Sequence, residues 1–200
     1  MNKQELINSL KERNFPEKII KAFEVVNREK YIPKEIKGES YEDTALPIGY
    51  RQTISQPYTI AFMLDLLEVK GGQKILEVGS GSGYVLELLA QLNKKGTIFG
   101  VERVKELAES SSRVLRQYSN ITVKQGDGSK GLKNEEPFDR ILVSAAAASI
   151  PEKLVEQLKI NGILVVPVKN SIVVVKKSAL KNKIEEYPGF VFVPLIENEE

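Results

Sequence analysis

The 200-residue chain contains no cysteine and no histidine. Without cysteine it has neither disulfides nor thiolate chemistry, and the redox compartment is left open. Without histidine it lacks the commonest metal ligand and the commonest general base near neutral pH. Any chemistry must therefore proceed without imidazole or thiol, and no metal site is expected. Long apolar runs are missing too, and the N-terminus MNKQELINSL has no apolar signal-like region. No membrane contact and a cytoplasmic location are the expectation. Charge of one sign is barely in excess: 29 Lys and Arg stand against 27 Asp and Glu, a formal +2. That is too near neutral to argue for a nucleic-acid surface. No internal repeat or low-complexity segment is evident. The remaining composition, 42% hydrophobic and 28% charged, is ordinary for a globular protein, and this length buries one substantial core.

What is present centres on Lys74–Tyr84, KILEVGSGSGY. Ile75, Leu76 and Val78 form a short apolar run of the kind that makes a strand buried on both faces. Gly79, Gly81 and Gly83 follow, alternating with Ser80 and Ser82; then Val85, Leu86, Leu88 and Leu89 recur at helical spacing. Strand, glycine turn and helix open a nucleotide-binding α/β unit. The glycines fall as G-x-G-x-G rather than G-x-G-x-x-G, with Tyr84 where the third fingerprint glycine would stand, which argues against a pyrophosphate pressed on the turn. A dehydrogenase is accordingly the weakest candidate. A glycine-rich turn in an unrelated α/β protein is the plain alternative for this motif alone.

Residues 3–13 carry Leu6, Ile7 and Leu10 on one face and read as a short helix. Pro16 fits the first turn of a second helix with an apolar stripe of Ile19, Ile20, Phe23 and Val26. Residues 38–57 have no clean period, and a long irregular segment in a compact domain is often functional. Helical spacing returns from Pro57, with Ser55 and Gln56 placed to cap the helix N-terminus. Thr97–Val101 reads as a strand ending in Glu102, an acid positioned to accept hydrogen bonds from ribose hydroxyls; a solvated carboxylate beside Arg103 is the bland alternative. Lys105–Tyr118 reads as a helix, Ile121–Gln125 as a strand, and Gly126-Asp127-Gly128 as its exit loop. Arg140–Ser144 is a further strand, after which the small residues Ala145–Ala148 either leave room for a ligand or form a helix. A helix from Pro151 to Leu158, stopped by Asn161-Gly162, precedes strands at Ile163–Val168, Ile172–Lys176 and Phe190–Leu195. The alternation predicts a Rossmann-like, doubly wound α/β fold with a mostly parallel sheet, an N-terminal helical extension and a C-terminal antiparallel element.

The stretch E-x-G-x-G-x-G at Glu77–Gly83 resembles motif I of the S-adenosylmethionine-dependent methyltransferases. Asp43–Pro57, with D-x-x-L-P-I-G and Q-T-I-S-Q-P, closely resembles the protein-L-isoaspartate O-methyltransferase family. The resemblance runs on through Gly126-Asp127-Gly128, PFDRILVSAAAASIP (137–151), QLKINGILVVPV (157–168) and FVPL (192–195). It implies one methyltransferase domain over 1–200, with N-terminal helices and a substrate segment in 1–57 and the cofactor-binding core in 58–200. It implies S-adenosyl-L-methionine as cofactor and isoaspartyl proteins and peptides as partners, with no nucleic acid, acted on by a monomer. In that family the α-carboxylate of an L-isoaspartyl residue is methylated, and the ester closes to a succinimide that hydrolyses partly to aspartate. A carboxylate, with an unperturbed pKa of about 4, is already a nucleophile at pH 7, so the missing histidine is no handicap.

By the same resemblance Ser55 is the residue nearest the chemistry, orienting the acceptor carboxylate without becoming a covalent nucleophile. Thr53, Ile54, Ser55, Glu77, Gly79, Ser80, Gly81, Gly83, Glu102, Asp127 and Gly128 are expected to hold the cofactor. Asp43, Leu46, Pro47, Ile48 and Ala145 are expected to shape the substrate site. Two departures stand out. Arg51 occupies a place where the family often has glycine, and either faces solvent or holds a carboxylate. Lys169-Asn170-Ser171 replaces a glycine-rich loop with a glutamine that helps close the family's active site. Two other readings remain open: a methyltransferase of RNA or a small carboxylic acid, and a non-catalytic cofactor- or protein-binding module.

Overall fold

The computed structural model describes residues 1–196. Its centre is a seven-stranded sheet in the order β5-β4-β3-β6-β7-β8-β9. The strands are β3 (Lys74–Val78), β4 (Thr97–Glu102), β5 (Ile121–Gln125), β6 (Phe138–Val143), β7 (Leu158–Val168), β8 (Ser171–Lys176) and β9 (Lys183–Pro188). The first five are parallel, and β8 and β9 return antiparallel. The chain leaves β3 to one side and comes back to its other side at β6, so a crevice opens at the carboxyl ends of β3 and β6, the usual ligand position in such sheets.

The two faces of the sheet are covered unequally. One lies under a single apolar cluster to which α1 (Lys3–Glu12), α2 (Glu17–Val25), α3 (Pro57–Leu66), α4 (Tyr84–Leu92) and α5 (Lys105–Leu115) contribute, α4 and α5 packing on the strands, α2 on α4 and α3, and α1 on α2; it runs from Leu6 and Phe23 through Leu64 and Leu86 to Ile75 and Val165. Among the described residues, the other carries a single short α-helix, α6 (Glu152–Glu156), whose Leu154 is buried over Leu76, Phe138 and Leu164. Between β5 and β6 the crossover has two 3-10 turns, Gly128–Lys130 and Lys133–Glu135, in place of an α-helix. No helix among the described residues is long and apolar enough to cross a membrane.

The N-terminal extension is locked on by polar as well as apolar contacts. Asn2 and Glu5 form a reciprocal capping box that starts α1. The hydroxyls of Tyr31 and Tyr118 both donate to the carboxylate of Glu87, which is buried on α4. Burial, followed by the bond to Glu87, raises the pKa of Tyr31.

Four expectations need correction. The segment 38–57 is not wholly irregular: β1 (Leu46–Gly49) and β2 (Gln52–Ile54) form a hairpin. Its tip residues Tyr50 and Arg51 take φ of 54° and 58°, the left-handed pair that matches hairpin twist, and Arg51 is exposed. The fifth helix ends at Leu115, short of Tyr118. The helix near 151–158 is only five residues long, and Asn161-Gly162 does not stop it but lies inside β7. There the Asn161 amide donates to Lys177 O and the Lys177 amide to Gly162 O, so a long-range pairing absorbs a local turn signal. Finally, the last strand is Lys183–Pro188, whereas 190–195 is a strap held to Ala146 by isolated main-chain bonds.

Candidate active site

The glycine turn between β3 and α4 lies at the crevice. Gly79, Gly81 and Gly83 have φ of 77°, 50° and 89°, which side-chain-bearing residues rarely adopt, and this accounts for the triple spacing. The amides of Gly79 and Ser80 donate to Val101 O, folding the turn back over the end of β4. Glu102, 6% exposed, fixes the arrangement: its Oε2 accepts from the Gly81 amide at 2.7 Å and its Oε1 from the Val104 amide at 2.8 Å. A carboxylate oxygen has a second acceptor site, so Glu102 can hold these amides and still accept from diol hydroxyls. Gly128 forms the floor. A Cβ there would lie 2.5 Å from Val78 Cγ1, so only glycine lets this loop reach the crevice.

Glu77 is 1% exposed. Ser144, at the end of β6, donates its hydroxyl to Glu77 Oε1 at 2.8 Å, while Oε2 has no hydrogen-bond partner. Burial pushes the Glu77 carboxyl up to about 8; the Ser144 bond opposes this and the nearby Glu102 charge adds to it. Ser80 Oγ is likewise buried without a partner. Orphaned buried polar atoms are uncommon in folded proteins, and here two sit at one turn. A buried carboxylate with a spare oxygen suits a ligand ammonium group.

Two cavities adjoin here. One, of about 90 Å³, touches Val78, Gly79, Gly81, Glu102, Gly128 and Ala145 and is roofed by the strap residues Val193–Ile196. The other, of about 820 Å³, is lined by Thr44, Ser55, Gln56, Tyr58, Phe190 and Phe192, with Arg13 as the one charged lining residue among those described. Thr53, Ser144 and Val193 line both. The two spaces therefore meet at Thr53, Ser144 and Val193, with Ser55 on the wall of the larger one.

The expected residues divide accordingly. Gly79, Gly81, Glu102, Gly128, Ala145 and Thr53 border the smaller cavity, and Ser55 the larger. Glu77, Ser80, Gly83 and Ile54 line neither cavity: Glu77 and Ser80 are buried, Gly83 starts α4 and Ile54 lies in the core. Asp127 caps the turn after β5, its Oδ1 accepting from Ser129. Leu46 and Ile48 are buried, so their side chains face the core, and Pro47 is exposed on the hairpin; none of the three lines either cavity. Asp43, rather than Ser55, caps α3, accepting from the Tyr58 amide at 2.8 Å. Sequence reasoning expected Thr53–Gln56 to close over the cofactor, and Gln56 lines the larger cavity; it missed Arg13, Tyr58, Ser144 and Phe190 as lining residues. For Phe190 the apolar FVF run near the C-terminus was a signal, though it read as a strand. At the Lys169-Asn170 turn, the Asn170 carbonyl accepts from the amides of Gly189 and Phe190 and so anchors the strap.

Comparison with known proteins decides the family. The whole chain, residues 1–200, matches the protein-L-isoaspartate(D-aspartate) O-methyltransferases. The chain belongs to this family. A curated relative, a protein-L-isoaspartate O-methyltransferase of Methanothrix thermoacetophila, is 42% identical over 98% of this chain and 95% of its own length. Among solved structures, a protein-L-isoaspartate O-methyltransferase matches with a TM-score of 0.90 at 25% identity, over 98% of this chain and 67% of its own. A putative protein-L-isoaspartate O-methyltransferase from Plasmodium falciparum, solved in complex with S-adenosyl-L-homocysteine, matches with a TM-score of 0.85 at 29% identity, over 99% of this chain and 100% of its own. The residues at the turn fit such a cofactor: the acid Glu77, buried on the adjoining strand with an unpartnered oxygen, for an ammonium group, Glu102 on the cavity wall for a diol, and a glycine turn without a pyrophosphate fingerprint.

Proposed function

We propose that the protein transfers the methyl group of S-adenosylmethionine to the α-carboxylate of L-isoaspartyl residues in damaged proteins and peptides. The observation that carries this reading is the pair of adjoining cavities, which share Thr53, Ser144 and Val193. A methyl donor on the glycine-turn side then faces an acceptor on the Ser55 side. Glu77, Gly79, Gly81, Glu102 and Gly128 hold the cofactor, which supplies an electrophilic methyl on a sulfonium. Thr53 sits at the junction, and the Ser55 hydroxyl donates to the acceptor carboxylate, aiming one oxygen at the methyl.

No general base is required, because the acceptor is ionised at neutral pH. The catalytic work assigned to the chain is positioning and exclusion of water. Tyr58, Phe190 and Phe192 give the acceptor cleft an aromatic wall, and the strap roofs the cofactor side. At about 90 Å³ the cofactor space is smaller than the several hundred Å³ usual for a ligand of this size, and it continues into the larger cavity through Thr53, Ser144 and Val193. The acceptor in this reading is protein rather than nucleic acid, in keeping with a formal charge of only +2.

The test is methyl transfer from labelled S-adenosylmethionine to matched peptides bearing L-isoaspartate or L-aspartate. Base-labile label on the isoaspartyl peptide alone is the expected result. Label on neither peptide, with the cofactor bound, would refute it.

A further inference from the structure

Arg28 is the largest side chain that the fold buries completely, at 0% exposure. It enters from the 3-10 turn Arg28–Tyr31 of the N-terminal extension. Its guanidinium forms no ion pair with a carboxylate of the described residues. Instead it donates to four main-chain carbonyls: Nη1 to Ser40 at 2.8 Å and Glu42 at 3.1 Å, and Nη2 to Thr44 and Ser55 at 3.0 Å each. Nε has no partner. Burial lowers the pKa to about 10, so the group remains cationic at neutral pH.

Two features make this more than a structural staple. The first is which carbonyls are held. Thr44 and Ser55 lie on either side of the β1–β2 hairpin, 11 positions apart, and both line the larger cavity. One Nη2 group therefore ties two walls of the acceptor cleft to a single rigid plane. The second is charge. A buried cation held only by carbonyl dipoles is costly unless something compensates it. The nearby Asp43 does so partly, but its Oδ1 is engaged by the Tyr58 amide and its Oδ2 lies 3.6 Å from the Arg13 guanidinium. Two arginines share one carboxylate on this wall, which leaves net positive charge beside Ser55.

We propose that Arg28 is the positioning residue of the acceptor site, clamping the Thr44 and Ser55 carbonyls and lending the cleft the positive field that favours a carboxylate acceptor. This rests on the methyl-transfer function proposed above. Arg28 touches neither substrate nor cofactor; it acts through the backbone of Ser55.

The experiment compares wild type with Arg28→Lys and Arg28→Gly, using an isoaspartyl peptide and labelled S-adenosylmethionine. Affinity for S-adenosylhomocysteine is measured separately by calorimetry. Transfer by the wild type tests the proposed function itself, independently of the variants. Lysine keeps the charge but cannot span four carbonyls. The expected result for Arg28→Lys is at least a tenfold loss of kcat/KM for the peptide, with cofactor affinity within threefold of wild type. Arg28→Gly should lose about a hundredfold, the cost of misplacing a reacting group by about 1 Å. Millimolar guanidinium should restore at least tenfold of it. A merely structural role predicts otherwise: cofactor affinity falling in step with kcat/KM, or Arg28→Lys within twofold of wild type. Either of those results overturns the proposal. Should Arg28→Gly fail to fold, the lysine variant decides alone.

Discussion

Glu77 offers the sharpest test of the site, because its ionisation is tied both to stability and to ligand charge. Its carboxyl titrates near 8 in the folded protein against an ordinary 4.5, through burial first. The folded state thus binds this proton more tightly than the unfolded state. The resulting stability is fully present below about pH 4.5 and is lost as pH rises through 8. At roughly 1.4 kcal/mol per pH unit between the two values, the linkage is worth up to about 5 kcal/mol. Glu77→Gln keeps the shape and an acceptor for Ser144 but cannot ionise. In urea unfolding, the variant should therefore gain on wild type by about 2–5 kcal/mol between pH 5 and pH 9. A cationic ligand reverses the effect, since an ammonium beside Glu77 lowers its pKa and expels the proton. Calorimetry of S-adenosylhomocysteine binding at pH 7, in buffers of differing ionisation enthalpy, should show close to one proton released by wild type and none by Glu77→Gln. An unchanged stability gap between pH 5 and pH 9, together with buffer-independent heats, would refute the reasoning.

Other consequences follow from the same geometry. Glu102→Ala frees the Gly81 and Val104 amides, and charge-assisted bonds of this kind are worth about 1.5–3 kcal/mol. Cofactor affinity by calorimetry should fall at least tenfold, and an unchanged value would remove Glu102 from the site. Ser55→Ala should lower kcat with cofactor affinity unaltered, as read by steady-state kinetics beside calorimetry. Gly128→Ala drives a methyl into Val78 Cγ1; overpacking of this sort costs about 1–3 kcal/mol and should appear as a lower Tm with weaker cofactor binding. Tyr31→Phe leaves one oxygen of the buried Glu87 short of a donor, and urea unfolding should register a loss of about 1–3 kcal/mol.

The sequence was most legible where one residue type answers one local need. Three alternate glycines mark three alternate left-handed positions, and the apolar run at 75–78 marks a strand covered on both faces. It was least legible where partners distant in the chain decide the conformation. Asn161-Gly162 carries a turn signal, yet pairing with Lys177 keeps it in β7. KIEEYP looks too polar for a strand, but as β9 it forms the sheet edge, where charged side chains face water. FVFV alternates like a strand, but Phe190 stacks on Phe62 at 5.3 Å and the segment becomes the strap over the site.

By itself, then, the sequence determined the α/β class, the glycine turn at its switch point, the acids Glu77 and Glu102 flanking it, and the family through its Q-T-I-S-Q-P and F-V-P-L stretches. All of these are set by local backbone demands or by short runs of side chains. Only the tertiary structure decided that Ser144 bonds Glu77 from a strand 67 positions away, that Asp43 rather than Ser55 caps α3, and that Leu46 and Ile48 turn inward. It alone brought the 190–196 strap over the crevice and four carbonyls around Arg28. The reason is physical: a buried polar group must find its partner wherever the fold delivers one, and spacing along the chain carries no record of that meeting.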